Sequence, residues 1–273
     1  MKNIIVQLNI APEGHVDKTD KYSKMFEYKT ALYDRCERDA RRYAEKIGVE
    51  YRKIDSKVYD PDLHYCYQAF QLFEEEYDEY DNIVYFDGDY APCVETMPNI
   101  FDVMATSKYG FFAAAESTID PKTGLRRKEK AKEYAKYGWD DSYIYFNSGL
   151  WAIKKELRDL FREDCKKSVY DNIDKKGYWI SPDQDILNNC VFHKLGGQYG
   201  ILSREWNGVY STRKAACASH WVSRNKANFS EEAQDSYNQF KIKRAQTENI
   251  KVWWEPCLQT SFEAHQNKTE QLS

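Results

Sequence analysis

Nowhere in its 273 residues does the sequence carry an apolar run near the roughly 20 residues that a membrane-spanning helix needs. Residues 1–20 also lack the basic start and apolar core of a secretory signal, so a cytoplasmic location is expected. No Cys-x-x-Cys pair occurs. The seven cysteines, Cys36, Cys66, Cys93, Cys165, Cys190, Cys217 and Cys257, are odd in number and widely separated. That argues against a disulfide framework and a zinc ribbon, and predicts reduced, mostly buried thiols. Positive charge is not in excess: a net charge of -4 offers no overall attraction to nucleic acid, which is not expected as a partner. Internal repeats and low-complexity linkers are missing as well.

What is present is the composition of a soluble globular protein, 42% hydrophobic and 31% charged. The length allows one large α/β domain or two small ones, either with a substantial core. Residues 3–9 predict a buried strand, and Pro12 and Gly14 then break the pattern. Met25, Tyr28, Leu32, Cys36, Tyr43 and Ile47 fall roughly at helical spacing, with Gly48 as a stop. A strand over 49–54 and a helix from Asp62 through about Tyr80 lead to a third strand at 83–86. Strand-helix-strand-helix-strand order predicts a parallel sheet with right-handed crossovers.

Farther on, Thr96 is expected to cap a short helix ending near Ala105, followed by a strand over 109–115 that ends at Glu116. Residues 117–142 hold a basic segment around Arg126-Arg127-Lys128, either a solvated helix face or a flap that meets an anionic group. Residues 143–153 predict a strand interrupted by Asn147-Ser148-Gly149, and 154–173 an amphipathic helix. Ser181-Pro182 is a helix start with Asp183-Gln184-Asp185 in its first turn, where acids complement the helix dipole. Gly196-Gly197 stops that helix, residues 199–202 form another strand, and His220 lies in the apolar run 216–222. Ser230 opens a polar helix to about Gln246.

Chemistry concentrates in Ile83-Val84-Tyr85-Phe86-Asp87-Gly88-Asp89. The apolar run reads as a strand buried on both faces, and its end is where ligands bind in open α/β sheets. Asp87 and Asp89, two apart, point to the same side in extended backbone, and Gly88 lets the backbone approach a ligand. Two carboxylates this close repel unless a cation sits between them. The competing reading is a strand followed by an acidic turn.

Four ordered segments resemble glycosyltransferase family 8, the family of glycogenin and bacterial lipooligosaccharide galactosyltransferases, and extend to divergent viral or bacterial branches. They are Tyr85-Phe86-Asp87-Gly88-Asp89, Tyr145-Phe146-Asn147-Ser148-Gly149, Asp183-Gln184-Asp185-Ile186-Leu187-Asn188, and Ser219-His220-Trp221 followed by Lys226. The resemblance implies a GT-A, Rossmann-like α/β fold with a mixed, mainly parallel sheet flanked by helices. It implies a glycosyltransferase domain over 1–228, with a nucleotide-binding half at 1–115 and an acceptor half at 116–228. A C-terminal helix and tail would fill 229–273.

By the same resemblance Asp87, Asp89 and His220 would hold a divalent ion, Mn²⁺ or Mg²⁺, the imidazole tilting the choice toward Mn²⁺. Lys226 would bind the diphosphate of a nucleotide-sugar donor, expected to be UDP-linked. Asn147, Ser148 and Glu116 would meet the sugar, Leu8 and Asn9 the nucleoside, and Tyr22 would stack on the base. Asp183 and Gln184 would lie beneath the anomeric carbon, whose cationic character resembles that met in glycoside hydrolysis. The acceptor would be a glycan, glycolipid or glycoprotein hydroxyl and the outcome retention; Glu116, Asp140 or Asp141 would be the base of an inverting alternative. Two positions depart from the family: residues 61–80 contain no arginine, and Ser223 stands where a glycine is expected. Competing functions are an aspartyl-nucleophile phosphohydrolase and a carbohydrate-binding module with structural Ca²⁺, though calcium prefers an all-oxygen shell. In the tail, Lys241, Lys243, Arg244 and Lys251 followed by Trp253-Trp254 are either a peripheral membrane contact or, for the tryptophans, packed on the domain.

Overall fold

The computed structural model describes residues 1–10, 30–63, 65–115, 143–172, 182–208, 217–222, 226 and 228–248. The basic segment at 117–142 and the tail from 249 therefore lie outside the described residues.

A six-stranded sheet forms the centre, in the order β2-β1-β3-β6-β5-β7. Its strands are β1 (Asn3–Leu8), β2 (Glu50–Ile54), β3 (Asn82–Asp87), β5 (Phe111–Ala115), β6 (Phe146–Lys154) and β7 (Gly200–Leu202). β1 runs parallel to both β2 and β3, as the strand-helix alternation predicts, and β5 runs parallel to β7. β6 is antiparallel to β3 and β5, which makes the sheet mixed. Strands β4 (Tyr90–Pro92) and β8 (Ala218–His220) form a separate two-stranded sheet.

Alternate residues of each central strand enter opposite cores. Ile4, Val6, Ile83, Tyr85, Trp151 and Ile153 face one side, where residues 65–73, α3 (Lys155–Asn172) and α4 (Pro182–Leu195) pack. Ile5, Val84, Phe86 and Ala152 face the other, against α1 (Thr30–Ile47) and α2 (Ile100–Ala105). Helices on both faces explain why these strands read as unbroken apolar runs. In α1, Leu32, Cys36, Ala40, Tyr43 and Ala44 make the buried stripe, and Gly48 at φ 72° ends the helix.

Three local expectations are corrected. Residues 62–80 form 3-10 segments, Tyr65–Phe73 and Glu75–Tyr77, instead of an α-helix. Side-chain amides engage the backbone there: Gln68 donates to Asp60 O and accepts from Tyr59 N–H, and Gln71 donates to Gln68 O. Asn99, not Thr96, caps α2, its side chain accepting from Phe101 N–H. Finally, β6 begins at Phe146 instead of Tyr143, while its pairing with β5 shifts register between Ala115–Phe146 and Ala113–Trp151, an irregularity across Asn147-Ser148-Gly149 that matches the expected interruption. Its first residue is held by Asn188 of α4, which accepts from Phe146 N–H and donates to Phe146 O, completing the pairing a neighbouring strand would give.

The last described helix, α5 (Glu231–Thr247), is capped by Ser230 and braces β8 from behind. Gln234 accepts from the Trp221 indole N–H at 2.8 Å, and Lys241 reaches Ser219 Oγ at 2.6 Å. Among the described residues no helix is long and apolar enough to cross a membrane.

Candidate active site

Topology alone assembles the acidic cluster. β3 ends at Asp87 opposite Leu8, the last residue of β1. Because β6 runs antiparallel to β3, its first residues, Asn147-Ser148-Gly149, arrive at that same end. β4 begins directly after Asp89 and pairs with β8 so that Tyr90 stands opposite His220. Trp221 N–H donates to Asp89 O at 3.0 Å and extends the ladder to the acid itself. Strand pairing thus sets an imidazole beside an acid 131 positions earlier in the chain.

His220 Nε2 lies 3.0 Å from Asp89 Oδ1 and 3.5 Å from Asp87 Oδ2. Lys226 Nζ lies 2.7 Å from the other Asp89 oxygen and 2.9 Å from the Tyr33 hydroxyl. Burial opposes charge on His220, but Asp89 and Asp87 outweigh it and push the imidazole up to about 9. Burial likewise opposes charge on Asp89, yet Lys226 and His220 hold its carboxyl well below the usual range. Burial lowers Lys226 while Asp89 and Tyr33 raise it more, and the ammonium stays charged. Burial, helped by Asp89, lifts the Tyr33 phenol to about 12, so it remains a neutral partner.

This donor set suits a divalent cation. One ligand atom each from Asp87, Asp89 and His220 lies within 4.8 Å of the others. Ligands on neighbouring corners of an octahedron, each about 2.1 Å from the ion, stand about 3 Å apart, close to the spacing seen. Tyr85 donates its hydroxyl proton to Asp87 Oδ1 at 2.7 Å, leaving Oδ2 toward His220. Gly149 makes room for the imidazole, since a Cβ there would lie 2.0 Å from His220 Cε1.

Polar side chains link this cluster to the first turn of α4. His220 Nδ1 meets Asn207 Oδ1 at 2.8 Å, and Asn207 Nδ2 donates to Asn147 Oδ1 at 2.8 Å. Asn147 Nδ2 donates to Gln184 Oε1 at 2.8 Å, as does Ser148 N–H at 3.1 Å. Gln184 Nε2 donates to the Tyr145 hydroxyl, which donates to Asp185 Oδ1 at 2.6 Å. Burial, then the charge of Asp87, pushes the Asp183 carboxyl up to about 7 against a bond from Ser148.

Of the residues singled out in the sequence, Asp87, Asp89, Asn147, Ser148, Asp183, Gln184, His220 and Lys226 gather at this strand end. Leu8 and Asn9 lie on its rim, with Leu8 O close beneath Gly88 and the Asn9 amide donating to Glu37 of α1. Tyr22, Glu116, Asp140, Asp141 and Ser223 lie outside the described residues. Gln7, Tyr33 and Asn207 belong to the site without having carried a sequence signal. Gln7 braces the acidic turn by donating to Asp87 O and Tyr90 O.

A mixed sheet flanked by helices, with two acids ending a central strand, defines the chain as a GT-A glycosyltransferase fold. The chain belongs to glycosyl transferase family 8, whose profile matches residues 3–247. That membership makes it a glycosyltransferase and sets aside the phosphohydrolase and carbohydrate-binding readings. Among solved structures, a glycosyltransferase involved in glycosylation of the major capsid of PBCV-1 is similar with a TM-score of 0.53 and 12% identity, covering 89% of this chain and 100% of that one. The galactosyltransferase LgtC, in complex with donor and acceptor sugar analogues, follows at TM-score 0.44 and 16% identity, over 75% and 74% of the two chains. The glycosyltransferase GlyE of Streptococcus pneumoniae TIGR4 matches at TM-score 0.47 and 14% identity, over 93% and 62%. A comparison with curated protein sequences finds no match.

Proposed function

We propose that the protein transfers a hexose from a UDP-linked donor to a hydroxyl of a glycan, glycolipid or glycoprotein, with retention of anomeric configuration and dependence on Mn²⁺. The observation that carries this is the meeting of Asp87, Asp89, His220 and Lys226 at the end of β3, beside the first turn of α4. Asp87, Asp89 and His220 are the groups that would hold the cation, which supplies Lewis-acid stabilisation of a departing diphosphate. Lys226, already on Asp89, has the charge and reach to share that diphosphate charge. Asn147 and Ser148 offer an amide and a hydroxyl to sugar hydroxyls.

Within the pair at the start of α4, the two residues divide the work. Both faces of the Gln184 amide are spent on Asn147, Ser148 and Tyr145, so it orients the sugar-binding groups. Asp183, its carboxyl lifted to about 7, would face the cationic anomeric centre in the ionised form that dominates above that pH. Leu8 and Asn9, on the β1 side, take the nucleoside. The domain division at residue 228 and the cytoplasmic location stand as parts of the same proposal, and α5 ties the C-terminal segment to the catalytic core through Ser219 and Trp221.

The test is a panel of nucleotide sugars with Mn²⁺, read as hydrolysis, transfer and thermal shift. UDP-hexoses are expected to be hydrolysed slowly by the parent, and not by Asp87→Ala or Asp89→Ala of unchanged fold. A parent that neither binds nor hydrolyses any donor, with or without metal, would overturn the proposal. So would variants that behave like it.

A further inference from the structure

Asn207 belongs to none of the four sequence segments, yet it is buried between the acidic cluster and the polar groups of β6 and α4. Its bonds have a definite direction, because two atoms of the network cannot change role. A backbone N–H only donates, and Gly149 N lies 3.0 Å from Asn147, so Asn147 presents Oδ1 there. That oxygen also faces Asn207, which must answer with Nδ2 and so turns Oδ1 toward His220. His220 then carries a proton on Nδ1. In its neutral form the lone pair is left on Nε2, the nitrogen between Asp87 and Asp89.

The second fixed donor is Ser148 N–H, which identifies the Gln184 atom facing it as Oε1. Gln184 Nε2 must then donate to Tyr145, whose hydroxyl proton goes on to Asp185. Reversing any one amide would set two donors or two acceptors face to face inside a buried chain and leave polar groups unsatisfied.

We infer that Asn207 is a positioning residue that relays the direction fixed at Asn147 to His220, holding the ring in the Nδ1–H form with Nε2 presented to a divalent cation. This rests on the metal-dependent reading given above and deepens it. The outer partner of a metal-bound histidine orients the ring and fixes its tautomer, and its loss costs about 10–100-fold in affinity or activity. Asn207 also reaches the opposite end of the site, so its two ends can be separated by substitution.

The experiment measures Mn²⁺ binding to the full chain without donor, by electron paramagnetic resonance of free Mn²⁺, for the parent, Asn207→Ala, Asn207→Asp and Asp89→Ala. Urea unfolding of each protein accompanies it. Asn207→Ala is expected to weaken Mn²⁺ by about 10–100-fold. Asn207→Asp still accepts the Nδ1 proton, so it is expected to stay within about threefold of the parent, as carboxylate–histidine–metal pairs do. It no longer donates to Asn147, and kcat for donor hydrolysis at saturating Mn²⁺ should fall while Mn²⁺ affinity holds. Parental Mn²⁺ affinity in Asn207→Ala would overturn the inference, as would equal weakening in both Asn207 variants while both remain folded. A parent that binds Mn²⁺ no better than Asp89→Ala would instead sink the metal-dependent reading, and the inference with it.

Discussion

Gly149→Ala should abolish cation binding while leaving every proposed ligand in the sequence. A Cβ at this position would lie 2.0 Å from His220 Cε1, 2.6 Å from Nδ1 and 2.7 Å from Nε2. Non-bonded carbon atoms settle no closer than about 3.5 Å, so the ring must retreat by about 1.5 Å. Metal–ligand distances tolerate only about 0.2 Å. Nor is the retreat free: it breaks the 2.8 Å contact with Asn207, and Tyr90 stands edge-on with its ring centroid 6.0 Å from that of His220. Overpacking of this kind costs about 1–3 kcal/mol of stability. Isothermal calorimetry with Mn²⁺, together with urea unfolding, measures both effects. Folded Gly149→Ala is expected to bind Mn²⁺ at least about 100-fold more weakly than the parent, at the upper end of what losing a single outer partner does. Parental Mn²⁺ affinity in that variant would refute the placement of His220 as a ligand.

Other outcomes follow from the same geometry. His220 titrates near 9 instead of its ordinary 6.5, so a cation at Nε2 must displace a proton below pH 9, and Mn²⁺ affinity should rise about tenfold per pH unit from 6.5 to 8.5. A pH-independent affinity over that range would contradict this. For the metal-free protein the sign is opposite: the raised folded pKa adds stability that is complete below 6.5 and lost as pH climbs through about 9, read as a falling unfolding midpoint. Lys226→Met should lower kcat for donor hydrolysis by about 10²-fold, the usual cost of one charge-stabilising donor. A change confined to KM would count against Lys226 acting on the leaving diphosphate. Asn188→Leu leaves Phe146 N–H and O without their partner, and urea unfolding should show a loss of about 2–4 kcal/mol. A loss under about 1 kcal/mol would mean the start of β6 is held some other way.

The central strands were legible because burial on both faces writes continuous apolar runs, and the acids ending β3 were legible because charge there contradicts such a run. His220 was ambiguous in sequence: an apolar neighbourhood surrounds core histidines as readily as ligands. Only the pairing of β4 with β8 shows which acids it faces. Asn147-Ser148-Gly149 reads as an interruption because polar residues and glycine weaken strand patterns, and the register shift between β6 and β5 falls there. Asn188 and the imidazole against Gly149 are tertiary partners that no local pattern reveals. The 3-10 segment at 65–73 shares its apolar spacing with an α-helix, and the deciding bonds come from glutamine side chains. Asn207 follows the buried Trp206 in an irregular stretch, where one amide carries no periodic signal.

The most direct test of the account is UDP binding by calorimetry, with Mn²⁺ and with a chelator, in the parent, Asp87→Ala, Asp89→Ala and His220→Ala. The account predicts that UDP binds the parent only when Mn²⁺ is present and binds none of the three variants appreciably. Equal UDP affinity in chelator, or undiminished Mn²⁺-dependent binding in those variants, would contradict it.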